Sequence, residues 1–75
     1  EEGLITFKDT NFKDLMKELE KNFGIQIIID NHTLDNYACS GKFRISDGIE
    51  QVLRALQQDA HFTFERESGT EIRIQ

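Results

Sequence analysis

The side chains that most often carry out chemistry are few and scattered in this chain. Its two histidines are His32, in a polar stretch, and His61, at the start of an alternating one. Neither has a second histidine or a cysteine three or four residues away, the short spacing from which structural zinc sites are built. We therefore predict no metal site, and we read both histidines as ordinary polar residues rather than as a ligand or a general base.

Cys39 is the only cysteine, so no disulfide can form within the chain. This pattern fits a reducing or an oxidising compartment equally well. In the surrounding alternation Cys39 falls on the same face as Phe43 and Ile45, which are both large and apolar. We therefore expect a buried, unreactive thiol.

The acidic residues and glycines also lack the spacing of a known site. A calcium loop needs Asp or Asn at its first, third and fifth positions and Gly at the sixth, and the stretch DNHTLDNY contains no glycine. No glycine belongs to a GxGxxG or GxxxxGK run that would bind phosphate. We predict no catalytic residue and no cofactor. The aspartates at predicted turns should bond to local backbone: Asp9, Asp30, Asp35 and Asp47.

Composition limits the classes of partner. The 75 residues are 31% charged and 37% hydrophobic and include no proline, which indicates one small globular domain spanning residues 1–75. The net charge of -5 and the mixing of acidic residues among the lysines oppose binding to nucleic acid or anionic lipid, so we expect neither partner. The chain lacks an initiator methionine and any apolar run near the roughly 20 residues of a membrane span, which suggests a domain excised from a longer protein.

Two amphipathic helices position the rest of the chain. Each shows apolar residues at the spacing i, i+3, i+4 and i+7. Asn11, with Asp14 three residues on, is the expected N-cap of the first helix, and Gly24 its end. Ser46 or Asp47 is the expected N-cap of the second. The two stripes are Phe12, Leu15, Met16, Leu19 and Phe23, and then Ile49, Val52, Leu53 and Leu56.

Short strands surround these helices. Alternating apolar residues predict strands over residues 4–8, 25–30, 37–45, 61–66 and 71–75, with a hairpin turn through Gly69. The two helical stripes are offset by a constant 37 residues, and the flanking strands follow nearly the same offset. The chain therefore reads as a duplicated β-α-β unit with one added strand. Right-handed crossovers would make the two strands of each unit parallel neighbours, with the helix on one face.

The sequence resembles the C-terminal domain of FecR-type anti-sigma factors of the Bacteroides group. The resemblance is carried by ITFKDTNFKDLMKELEKNFGIQIIID and SGKFRISDGIEQVLRALQQDAHFTFERESGTEIRI, nearly the whole chain. Its most telling residues are Gly41, Lys42 and Phe43, then Phe62 and Phe64, and then Ile72, Arg73 and Ile74. The short N-terminal (STN) domain of secretins and TonB-dependent receptors is a related module with the same duplication. The resemblance implies an α+β fold, β-α-β-β-α-β-β, with two helices packed with a three-stranded and a two-stranded sheet.

The resemblance also implies a function. Such a domain is the periplasmic part of an inner-membrane-anchored regulator and receives a signal from a TonB-dependent outer-membrane transducer. The regulator's cytoplasmic part, not this domain, holds an extracytoplasmic-function sigma factor. The chain would then be a protein-interaction module and not an enzyme. Two alternatives remain open: the STN signalling domain of a TonB-dependent receptor or secretin, and a small enzyme or ligand-binding domain.

Binding by such a module would use an open sheet edge or an exposed apolar patch. The final strand, residues 71–75, is short and carries charged residues, which fits a protected edge and a selective docking edge presenting Ile72 and Ile74 equally well. Leu4 and Ile28 both break the alternation of their strands. If the first two strands are parallel neighbours, these two residues form a small patch on the outer face of the sheet. The predicted protein-binding residues are therefore Leu4, Ile28, Ile72 and Ile74. Parent-chain residues or a loop that covers the patch of Leu4 and Ile28 would explain it as well.

Overall fold

A computed structural model describes residues 3–75. The order of elements is β-α-β-β-α-β-β, as predicted, and the α+β class with two small sheets is confirmed. Two short 3-10 turns, His32–Leu34 and Ile45–Asp47, precede β3 and α2 respectively. The main elements are β1 (Leu4–Asn11), α1 (Phe12–Phe23), β2 (Gln26–Ile29), β3 (Ala38–Arg44), α2 (Ile49–Leu56), β4 (Phe64–Ser68) and β5 (Glu71–Ile74).

Helix α1 forms where the apolar stripe predicts it. Its first four stripe residues are buried, and the helix ends at Gly24, whose φ of 64° is the left-handed conformation expected of a glycine C-cap. The start differs in detail from the prediction. Asn11 is the N-cap residue, but its side chain makes no capping hydrogen bond, and Asp14 stays exposed. The backbone N–H of Phe12, the first residue of the helix, bonds to the carbonyl oxygen of Tyr37 at 2.8 Å, so tertiary structure satisfies one of the N–H groups that the helix start leaves free.

Helix α2 begins at Ile49, 37 residues after the first residue of α1, as the duplication predicts. Its N-cap is Gly48, with φ of 88° and no side-chain cap, so the prediction of Ser46 or Asp47 is wrong. The reason is local. Residues Ile45–Asp47 form a 3-10 turn closed by the Gly48 N–H on the Ile45 carbonyl oxygen at 3.1 Å, and the chain leaves this turn through glycine.

The strands pair differently from the predicted parallel units. Strands β1 and β3 form an antiparallel pair, and the second sheet has the order β2-β5-β4, with β2 parallel and β4 antiparallel to β5. The first and second strands of each unit thus lie in different sheets, and the prediction of parallel neighbours is wrong. In the first unit, no residue separates β1 from α1. A helix that folds back over its own sheet needs a connection of about two to six residues.

One core joins the two sheets through α1. The Phe12 ring packs edge-on against Phe62 at 5.3 Å between centroids, and the Phe23 ring stacks on Phe43 at 6.1 Å. Phe62 precedes β4 and Phe43 belongs to β3, so one helix contacts both sides of the molecule. The buried apolar residues are Phe12, Leu15, Met16, Leu19, Ile27, Cys39, Phe43, Ile49, Val52, Leu53, Ala60, Phe62, Ile72 and Ile74.

Candidate protein-binding surface

Strand β5 is the centre of the three-stranded sheet and not an edge. It pairs with β2 on one side and with β4 on the other. Ile72 and Ile74 point into the core, and both are 0% exposed. The prediction of an open final edge is therefore wrong, and these two side chains are not accessible to a partner in this structure. In the hairpin predicted from Gly69, β4 pairs with one edge of β5. Strand β2, from a distant part of the sequence, pairs with the other edge.

Leu4 and Ile28 lie in different sheets. Leu4 of β1 is the register partner of Arg44, and Ile28 of β2 is the register partner of Arg73. The prediction that Leu4 and Ile28 form one patch is wrong, because it required β1 and β2 to be neighbours. Each side chain is half-buried, and a binding role for either one remains a prediction.

Arg73 occupies the outer face of the three-stranded sheet beside Ile28. Its Nη1 lies 2.9 Å from Oδ2 of Asp30 at the end of β2, and its Nε lies 3.3 Å from Oε2 of Glu67 in β4. Hydrogen bonding to Asp30, the charge of Asp30 and then the bond to Glu67 raise the pKa of Arg73 above its ordinary value. The ion pairs join all three strands across a face where Ile28 is the apolar residue next to Arg73.

Both edges of the three-stranded sheet are modified against a new strand. At β2 the backbone N–H groups of Gln26 and Asp30 donate towards β5, so the backbone N–H and C=O groups of Ile27 and Ile29 point to the free edge. The Glu20 carboxylate already accepts the Ile27 N–H at 2.6 Å. Strand β4 ends irregularly between Arg66 and Ser68 and carries glutamates on its outer face. Side chains that bind edge backbone, irregular pairing and charge are the usual means of protecting an edge.

The two-stranded sheet has one irregular and one regular edge. Strand β1 is interrupted between Phe7 and Thr10, where Asp9 has φ of 49° and its N–H bonds to Oγ of Ser40 at 2.9 Å. A groove of about 550 Å³ runs between β1 and α1, with both charge signs on its helical rim. Strand β3 continues without interruption from Ala38 to Arg44.

The pairing of β3 with β1 shows which backbone N–H and C=O groups of β3 point to its free edge. The Ile45 N–H donates to the Gly3 carbonyl oxygen at 2.7 Å, so residues 45, 43 and 41 bond towards β1. The N–H and C=O groups of the intervening residues point away from the sheet, at its free edge. Their side chains are all exposed: Ala38, Ser40, Lys42 and Arg44.

A groove of about 110 Å³ lies between β3 and α2, and its polar lining residues are Ser40, Lys42 and Asp59. Its apolar lining is Phe7, Phe43, Val52, Ala55 and Leu56. The Phe7 ring reaches it by crossing Gly41, where an added Cβ would lie 3.3 Å from Cζ of that ring. The Gly41-Lys42-Phe43 segment thus has a physical role: the glycine admits the ring, the lysine faces outward, and the phenylalanine is buried.

Tyr37 stands at the end of this edge. It is 40% exposed, and its hydroxyl donates to the Asp59 carbonyl oxygen at 3.2 Å. Together with the β3 edge and the groove, it forms a surface that the sequence analysis did not identify. The signal was present, because Ser40, Lys42 and Arg44 alternate with Cys39, Gly41 and Phe43 on the predicted inward face.

Within the described residues, the cysteine and the two histidines lie on three different segments of the chain. Cys39 is buried, as predicted, and burial followed by the negative charge of Asp59 raises the pKa of its thiol. Nδ1 of His32 lies 3.0 Å from Oδ2 of Asp35 in an exposed pair, and His61 is exposed on a different segment. Within residues 3–75, no three side chains of His, Cys, Asp or Glu are grouped so that they could hold a metal ion.

Comparison with known protein families shows the family to which the chain belongs. The model of a family described as FecR, C-terminal, matches residues 4–74. The chain belongs to this family. The match includes all five strands and both helices, so the FecR C-terminal pattern and the observed fold extend over the same residues.

A solved structure shares the fold. It is the crystal structure of a proposed anti-sigma factor from Parabacteroides distasonis ATCC 8503, which matches with a TM-score of 0.83 and 20% identity. The alignment covers 97% of this FecR C-terminal chain and 34% of the other, so this chain corresponds to about a third of that protein. A search of curated proteins found no match. None of the helices described within residues 3–75 is both long and apolar enough to span a membrane.

Proposed function

We propose that this chain is the periplasmic protein-interaction domain of a FecR-like anti-sigma factor. In this proposal it receives a signal from a TonB-dependent outer-membrane transducer, and its membrane-anchored parent controls an extracytoplasmic-function sigma factor. The observation that carries the proposal is the FecR C-terminal match over residues 4–74. The fold shared with the Parabacteroides protein supports the same architecture.

The proposed role is binding without a reaction. The chain takes no cofactor, and its partner is the signalling domain of the transducer. The sigma factor is bound by the cytoplasmic part of the parent, and neither nucleic acid nor the membrane contacts this domain. A regular open sheet edge with an apolar groove beside it is physically suited to such a role, because edge backbone supplies affinity and alternate side chains supply specificity.

Isothermal titration calorimetry tests this function. The purified domain is titrated with the signalling domain of the transducer encoded beside the parent gene, and with the signalling domain of an unrelated transducer as a control. We expect saturable binding to the first and none to the second. No detectable heat at high-micromolar concentrations of the neighbouring domain would contradict the proposal.

The parent reading frame provides a second test. A membrane-spanning segment encoded upstream of this domain agrees with the regulator. A TonB box and an outer-membrane barrel encoded downstream would instead assign the domain to a transducer, and would overturn the proposed direction of signalling.

A further inference from the structure

Strand β3 has the longest regular open edge in the described part of the chain. The N–H and C=O groups of Ala38, Ser40, Lys42 and Arg44 point away from β1, and their side chains are exposed. The β-bulge of this sheet lies in β1, so the irregularity does not reach the free edge of β3. An added strand would find four consecutive residue pairs with standard geometry.

The other three sheet edges are less suited to pairing with an added strand. The N–H of Ile27 at the β2 edge is already bonded to Glu20. Strand β4 bears glutamates on its outer face, in a protein whose net charge is already -5. The regular part of β1 presents only Leu4 and Thr6 before the bulge. The larger groove beside β1 therefore borders a shorter edge.

The side chains of β3 specify what can bind there. Lys42 and Arg44 lie two residues apart on the outer face, and neither forms an ion pair within residues 3–75. The opposite face of the same edge borders the apolar groove formed with Val52 and Leu56. Strand neighbours face each other across the ladder with a period of two. A complementary strand therefore carries acidic and apolar side chains alternately.

We infer that the free edge of β3 pairs with an extended segment of the partner protein in which acidic and apolar residues alternate. The carboxylates lie opposite Lys42 and Arg44, and the apolar side chains enter the groove between β3 and α2. This inference rests on the proposed function, since it names the surface with which the domain binds the transducer. The backbone supplies most of the affinity, and the two cations select the acidic register.

Proline substitution tests the backbone contact. Lys42 and Thr6 are register partners in a pair without mutual hydrogen bonds, so the N–H of each points to its own free edge. Lys42→Pro removes both the N–H and the cation of Lys42 at the β3 edge, and Thr6→Pro removes the equivalent N–H at the β1 edge without changing β3. We expect Lys42→Pro to weaken binding of the transducer domain by about tenfold or more, and Thr6→Pro to leave it unchanged.

Circular dichroism must show that both proline variants remain folded. Because Lys42→Pro could also act through the fold, Lys42→Glu tests the charge without altering the backbone. Its control is Lys13→Glu on α1, which changes the net charge equally, and Lys13 is also exposed without an ion pair within residues 3–75. We expect about fivefold weaker binding for Lys42→Glu at low salt, less at high salt, and no change for Lys13→Glu.

A synthetic peptide tests the surface independently of the transducer. The probe is the capped hexapeptide Glu-Val-Glu-Val-Glu-Val, compared with Lys-Val-Lys-Val-Lys-Val. We expect the acidic peptide alone to shift the backbone amide resonances of residues 38–44, with smaller shifts at β1 and β4. Absence of these shifts at millimolar peptide would overturn the inference.

The outcomes separate this inference from the proposed function. If the transducer domain binds and Lys42→Pro and Thr6→Pro bind equally well, the surface is wrong and the function stands. If the acidic peptide binds at β3 and the transducer domain does not bind, the surface stands and the transducer is wrong. Concentration-dependent dimerisation of the domain, abolished by Lys42→Pro alone, would assign the edge to a second copy and overturn the inference.

Discussion

The carboxylate of Glu20 lies at the end of α1, opposite the first free N–H of β2. It accepts the Ile27 N–H at 2.6 Å, while the Glu20 carbonyl oxygen accepts the Ile25 N–H at 3.2 Å. One residue thus determines how the chain passes from helix to strand and covers an edge that would otherwise be open. A sequence pattern reads this glutamate only as a charged residue on the wet side of a helix.

Replacing Glu20 by alanine should lower the free energy of unfolding by about 1–2 kcal/mol, because the N–H of Ile27 loses its acceptor in a partly buried position. Glu18→Ala is the matched control: it removes the same charge from the same helix, and its side chain is exposed. We expect the control to change stability by less than about 0.5 kcal/mol. Urea unfolding followed by circular dichroism measures both, and equal effects would contradict the assigned role.

Cys39 shows how burial controls reactivity at the same scale. Burial and then the charge of Asp59 raise the pKa of the thiol, so less thiolate is present at a given pH than for a free cysteine. We expect slow alkylation by iodoacetamide in the native protein, accelerating as pH rises towards the raised pKa. Asp59→Asn should lower that pKa and speed the reaction at a fixed mildly alkaline pH, whereas Asp47→Asn should not. Equal rates for the two variants would exclude the influence of Asp59.

Helix α1 depends on a glycine at its end, and this is a property of the element rather than of a contact. Gly24 has φ of 64°, and nothing lies within 4 Å of an added Cβ, so the cost of a side chain there is conformational alone. Gly24→Ala should destabilise the protein by about 1 kcal/mol. Gly69→Ala, at a turn glycine with equally open surroundings and no left-handed φ, should be neutral or slightly stabilising.

Thermal and urea unfolding of the two glycine variants decide this prediction. An equal loss of stability at both positions would show that general turn flexibility, and not the left-handed helix end, sets the requirement for glycine. The same measurements on the parent protein provide the reference.

At the scale of the whole molecule, α1 packs against strands of both sheets, so the two sheets should unfold together. Ile72 is fully buried in the three-stranded sheet, whereas the single tyrosine, Tyr37, stands beside the two-stranded one and reports on it by fluorescence in a chain without tryptophan. Ile72→Val should cost about 1 kcal/mol and shift the tyrosine and helical transitions by the same amount. The half-buried Ile28→Val should shift both less. If Ile72→Val left the unfolding transition measured by tyrosine fluorescence unchanged, the two sheets would unfold separately.

The two helices, the strand order along the chain and most of the core could be predicted from the sequence. When one face of an element is buried, its apolar residues recur every 3.6 residues in a helix and every two residues in a strand. The burial of Leu15 and Ile72 could therefore be predicted from the residues around each of them alone. Asn11 was correctly predicted as the N-cap residue of α1, although its side chain makes no capping bond, whereas the Gly48 cap of α2 was missed because a 3-10 turn at Ile45–Asp47 precedes the helix.

The candidate surface could be predicted only in part. Ile28 could be recognised as a break in the alternation of its strand, but placing it beside Leu4 required knowing which strands are neighbours. Strand β2 pairs in parallel with β5, more than 40 residues later in the chain, and β1 pairs with β3. Alternation shows which face of a strand is buried, and it is the same whether the strand is central or at an edge.

The amino-acid sequence by itself determined the elements, their inward faces and the scarcity of reactive groups, because each of these follows from local periodicity or residue type. The membership in the FecR C-terminal family follows from the match of the sequence to the family model. Only the tertiary structure decided which edges stay open. Edge status depends on the partners a strand finds at long range. Strand β3 is open because the chain continues from it through α2 into β4 of the other sheet, and no other strand described within residues 3–75 pairs with its free edge.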